Sequence, residues 1–128
     1  MRFTICLTAA AIICAGSTPL VANPAKHAAF QLNGTSWTFM DPKLGKVRES
    51  VDADGNYITQ TMSGKHLDHG TSVMKNGKAC FTSAMTKEGE VCWTTTPVGV
   101  GHSMATTSSD GRKLKVTRAK YVKLSMPK

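Results

Sequence analysis

The sequence predicts an all-β domain: an antiparallel up-and-down meander of about eight short strands, closed or nearly closed into a barrel. Three observations carry this. Helical periodicity is nearly absent, and Thr, Val and aromatic residues dominate the segments between turns. Turn glycines recur at intervals of about eleven residues, at Gly45, Gly55, Gly64, Gly77, Gly89, Gly99 to Gly101 and Gly111. Several stand in Asp-Gly or Asn-Gly pairs, which suit two-residue hairpin loops because both central positions take positive φ. A long meander removes its exposed edges by closing on itself.

The chain begins with a segment of another kind. Residues 1–22 read as a secretory signal peptide: Arg2, the apolar run FTICLTAAAIIC and a small residue at Ala22. That run is too short to span a bilayer comfortably. Its removal takes Cys6 and Cys14 and leaves Cys80 and Cys92 as the only pair, the pattern of a disulfide in an exported protein. The net charge of +8 falls by one with Arg2. A basic exported domain meets anionic envelope polymers, lipid headgroups or acidic ligands, and no nucleic-acid partner is expected outside the cell. The expected location is the periplasm or beyond, in a bacterium. Residues 23–33 form a linker or a covering segment, and residues 34–124 the barrel.

Strand alternation assigns faces. Trp37 and Phe39 share one in the first strand, and Val47, Glu49 and Val51 share one in the second. In the fourth, parity groups Leu67, His69 and Val73; in the last, Leu114 and Val116 oppose Lys113 and Lys115. The apolar sets are expected inside. Trp37, Tyr57 and Trp93 are then the ligand-binding candidates, offering aromatic faces to a small molecule.

The stretch GKACFTSAMTKEGEVCW sets Phe81 and Trp93 on the faces opposite Cys80 and Cys92. Inward aromatics put the cysteines outward, where a bond between neighbouring strands staples the hairpin. Directly opposed cysteines centre that hairpin on Thr86, ahead of the Glu88-Gly89 turn signal, so a wide loop or a bulge is required.

Chemistry has few signatures here. Asp52 to Asn56 begins like a calcium loop but lacks its later ligands, so it reads as a turn. His66 and His69, three apart on a strand, fall on opposite faces and make a poor chelate. His102 and Met104 share a face and are weak candidates for a Cu(I) site. No nucleophile elbow, phosphate loop or zinc motif occurs, and no cofactor is implied. Glu49 and His69, if both face the lumen, form an acid–base pair that needs no motif.

The residues GKACF and EVCW, with ADGNY upstream and SDGRKLKVTR downstream, resemble a group of small exported bacterial proteins of unknown function. The group shares a G-K-x-C-F…x-C-[WY] hairpin. The likeness covers about Gly34 to Arg118. It implies export, a bacterial source and an all-β fold, and transfers no catalytic residue. In shape alone the meander is similar to lipocalin-like and avidin-like ligand binders. The expected role is an exported barrel that binds a small or anionic envelope ligand, an anionic membrane surface being a further partner. The alternatives are a cofactor-independent periplasmic lyase or hydrolase using Glu49 and His69, and a periplasmic metal carrier.

Overall fold

A computed structural model describes residues 29–128; residues 1–22, where a signal peptide is expected, lie outside the described residues. Eight antiparallel strands follow one another: β1 (Thr35–Asp41), β2 (Gly45–Val51), β3 (Asn56–Thr61), β4 (His66–Lys75), β5 (Lys78–Ser83), β6 (Glu90–Thr94), β7 (Ser103–Thr107) and β8 (Lys113–Ala119). They form one sheet in the order β6-β5-β4-β3-β2-β1-β8-β7. Because β8 pairs with β1, the meander curls round until β6 and β7 meet, giving a nearly closed barrel. The β6–β7 seam has no continuous ladder. One bridge, Trp93 to Ser108, is reinforced by Ser109 N–H to Cys92 O (2.8 Å), Thr107 N–H to Thr94 Oγ1 (2.9 Å) and Thr106 Oγ1 to Thr94 O (2.6 Å).

Each predicted turn carries a glycine at positive φ, from Gly45 through Gly111. The β4–β5 turn is the tightest: Asn76 and Gly77 both have positive φ (49° and 73°), as a two-residue hairpin loop with the right twist requires. The β5–β6 hairpin is wide, as the cysteine spacing demanded. Cys80 pairs directly with Cys92, and the connection from Ala84 to Gly89 absorbs the offset. Ser83 Oγ accepts the N–H groups of Met85 and Thr86 and starts that loop.

The end of the barrel where β1 starts is plugged. Leu32 packs with Val51, Tyr57 and Ala79, and Phe30 stacks on Trp37 (centroids 5.5 Å, 19° between planes). Arg118 ties this end together by donating to Val98 O (3.0 Å) and Gln31 Oε1 (3.2 Å). Outside, the C-terminal tail lies over β1: Val122 N–H donates to Ser36 Oγ, which is itself bonded to Ser50 Oγ. Lys113 and Lys115 lie on an interior strand of the sheet, not on an edge, since β8 sits between β1 and β7.

One irregularity decides the inner surface. The β3–β4 register shifts between Thr59 and Gln60: Thr59 faces Asp68, but Gln60 faces His66. Leu67 is therefore an extra residue, and a β-bulge sends both Leu67 and Asp68 inward. Val73, expected inside with Leu67, is 47% exposed on the outer face. Close packing beyond the bulge needs Gly70, where a Cβ would stand 2.0 Å from Thr82 O and 3.0 Å from the Ser83 Cα. Gly70→Ala is expected to cost about 2 kcal/mol, because backbone rather than a flexible side chain must move. An unchanged urea midpoint would show that β4 and β5 can part freely.

Candidate functional site

The barrel encloses a cavity of about 690 Å³, a volume suited to a small organic molecule. Trp37, Tyr57, Phe81 and Trp93 form much of its wall, with Val47, Leu67, Val91, Met104 and Leu114 between them. All three aromatic residues expected to meet a ligand, Trp37, Tyr57 and Trp93, line it. Tyr57 and Phe81 meet edge to face at 5.2 Å. The Trp37 indole N–H is satisfied by Thr35 Oγ1 (2.8 Å), so that ring shows the cavity its apolar surface. At the open end, where β1 finishes, stand Asp41, Leu44, Glu88, Arg112 and Lys113. The Arg112 guanidinium lies 5.6 Å over Trp93 and pairs with Asp110.

Across the middle of the wall runs one rung of paired residues: Arg118, Trp37, Glu49, Thr59 and Asp68, from β8 through β1, β2 and β3 to β4. Glu49 and Asp68 flank Thr59, about 10 Å apart at the backbone by strand spacing. Thr59 Oγ1 donates to Glu49 Oε2 (3.0 Å). Asp68 is held more firmly. Its Oδ2 accepts from the Tyr57 hydroxyl (2.9 Å), and its Oδ1 accepts from Ser83 Oγ (2.6 Å) and the His69 N–H (2.9 Å). The two environments differ in consequence. Burial raises the Glu49 pKa to about 7, with a smaller push from the Asp68 charge, against the lowering effect of the Thr59 bond. Burial and the Asp68 acceptor push the Tyr57 hydroxyl above its usual range, so it remains a donor.

The expected convergence of Glu49 and His69 is not found. Glu49 lines the cavity, but the bulge turns His69 outward, opposite Ile58. Asp68 takes the place that parity gave to His69. The same bulge puts His66 and His69 on one outer face, against the opposite faces expected from an unbroken strand. Their rings meet with His69 Nδ1 3.2 Å from His66 Nε2. His102 sits exposed in the turn before β7, while Met104 is buried against Trp37 and Val116, its sulfur accepting the Thr96 N–H (3.3 Å). The Met104 thioether is thus engaged in packing the barrel wall.

Cys80 and Cys92 form the expected disulfide, on the face opposite Phe81 and Trp93. Glu90 lies beside them, close enough for a three-ligand metal set, but both sulfurs are committed to the bond. A disulfide of this kind fits a compartment outside the cytosol. No helix among the described residues is long and apolar enough to cross a membrane. No protein-family model, curated protein or solved structure matches the chain.

Proposed function

We propose that this is an exported binding protein that holds a small molecule inside its barrel. The cavity carries the reading: about 690 Å³ walled by aromatic rings, plugged at one end and open at the other. A concave space of that size, walled mainly by apolar and aromatic side chains, offers an apolar ligand body extensive packing contacts. Export to the periplasm or beyond agrees with the signal-like residues 1–22 and with the disulfide. The basic outer face, including Lys46, Lys115, Lys120 and Lys123, would keep the protein near anionic envelope polymers or lipid.

Binding is tested by Trp fluorescence and calorimetry against a panel of small aromatic compounds, since Trp37 and Trp93 both line the cavity. Leu114→Trp, which fills the cavity from its wall near the open end, is expected to weaken binding at least about tenfold, equivalent to about 1.4 kcal/mol. Equal affinity for the wild type and this variant would move binding to the outer surface.

A second reading is supported by Glu49, whose pKa near 7 lies beside the firmly bonded Asp68. Two acids in unlike environments can divide acid and base roles. In an enzyme, Glu49 would transfer the proton and Asp68, rather than His69, would be its partner. Turnover abolished by Glu49→Gln with affinity retained would favour this reading over a binder.

A further inference from the structure

We propose that the barrel selects an organic cation, an amine or quaternary ammonium on an aromatic or aliphatic body, with its charged end between Glu49 and Asp68. This rests on the reading of the lumen as a ligand site and names the ligand's chemistry.

Four observations carry it. First, the middle of the cavity has two carboxyl groups in one rung and no basic residue between them. Glu49 Oε1 accepts no hydrogen bond from any described residue, so half of that carboxyl is free to meet a ligand. Second, the basic residues of the barrel stand elsewhere. Arg118 belongs to the same rung, but Trp37 separates it from Glu49, it is not among the cavity-lining residues, and its guanidinium donates to Val98 O and Gln31 Oε1, its buried Nε having no partner among the described residues. Arg112 and Lys113 stand at the open end with Asp41 and Glu88, and Arg112 is paired with Asp110. Third, the acids share the cavity with aromatic rings, Tyr57 bonded to Asp68 and Trp37 paired with Glu49 across β1 and β2, with Phe81 edge-on to Tyr57, and an aromatic face attracts a cation. Fourth, the donors near the acids, Thr59, Tyr57 and Ser83, are already spent on Glu49 and Asp68, which leaves acceptor rather than donor capacity toward the cavity. An anionic head would face two carboxyl groups; an ammonium would supply the missing charge and the missing donors together.

The binding should be linked to protons. The groups facing Glu49 are Trp37 from β1, Thr59 and Tyr57 from β3, and Asp68 from β4; Arg118 lies beyond Trp37 and the mouth groups beyond Leu114. Of these, Glu49 changes charge near neutrality, because burial holds its proton to about pH 7. A cationic head favours the ionised form, so its affinity rises as Glu49 loses its proton.

The test uses the intact exported protein and three probes that share one body: 1-naphthylmethylamine, 1-naphthylmethanol and 1-naphthylacetate. Calorimetry is expected to rank the amine at least about tenfold above the alcohol, with the carboxylate weakest. That preference should grow from about pH 5.5 to about pH 8, as Glu49 ionises. In Asp68→Asn with Glu49→Gln the preference should collapse while the alcohol still binds. Each single variant, checked for folding by its circular dichroism, should lose part of it. If the alcohol binds as tightly as the amine and Leu114→Trp blocks both, the lumen site stands and the cation inference falls. If no probe binds in a manner sensitive to Leu114→Trp, the lumen reading itself falls.

Discussion

Glu49→Gln is expected to make the barrel more stable than the wild type above pH 7, by at most about 3 kcal/mol since Glu49 lines the open cavity, and nearly equal to it below pH 4.5. The Glu49 carboxyl titrates near 4.5 when exposed and near 7 when folded, chiefly because the barrel wall removes it from water. Between those values the folded state keeps a proton that the unfolded chain has released. Wild-type stability therefore falls as pH rises through this window, and levels off once Glu49 is ionised in both states. Glutamine cannot ionise, so its variant lacks this slope, while its amide oxygen can still accept the Thr59 hydrogen bond. Carboxylates that do not feel the Glu49 charge contribute equally in both proteins and cancel in the difference. Urea unfolding of both proteins at about pH 4.5 and about pH 8 measures it. Parallel stability profiles would mean that water reaches Glu49 freely, and the acid–base reading would lose its basis. A saturating cationic ligand should shrink the same slope, since it stabilises the ionised form in the folded state alone.

The difference between Glu49 and His69 shows where the sequence was readable. Turn chemistry is local: Gly45, Gly55, Gly77 and Gly111 announce backbone conformations that other residues reach with strain, so the number and order of strands followed from them. Face assignment is also local while alternation holds, which is why Trp37, Glu49, Phe81 and Trp93 were placed inward correctly. A bulge breaks that inference from its position onward, because one extra residue exchanges the faces. Leu67 is such a residue, and it removed His69 and Val73 from the interior while bringing in Asp68. One signal was present. Gly70 inside a strand marks a bulge or a close backbone approach nearby, and the structure has both. The partnership of Asp68 with Tyr57 and Ser83 was not readable, since it depends on three strands being adjacent at one depth. The outer His66–His69 contact was hidden for the same reason as Asp68.

Removing the disulfide is expected to cost about 3 kcal/mol and to open the barrel at one place first. Cys80 and Cys92 face each other with Cα atoms 3.9 Å apart, across a loop spanning 12 positions. The bond ties β6 to β5, and β6 is the strand with the least support. On one side it has a full ladder; on the other it has the single Trp93–Ser108 bridge and a few hydrogen bonds through Thr94, Ser109 and Thr106. Without the bond, the wide Ala84–Gly89 loop lets β6 leave β5 at little cost in geometry, and the seam is held by the one bridge and those few hydrogen bonds. The Cys80→Ala, Cys92→Ala double variant should therefore show faster amide exchange in β6 and β7 than in β1 to β3, in addition to its lower urea midpoint. Trp93 lines the cavity from β6, so its emission should shift toward that of exposed indole before global unfolding, while Trp37 on β1 remains packed against Phe30. Ligand affinity should fall with the same concentration of denaturant that releases β6. If exchange instead accelerates evenly through all eight strands, the bond acts only by restricting the unfolded chain, and the seam is stronger than its few hydrogen bonds imply.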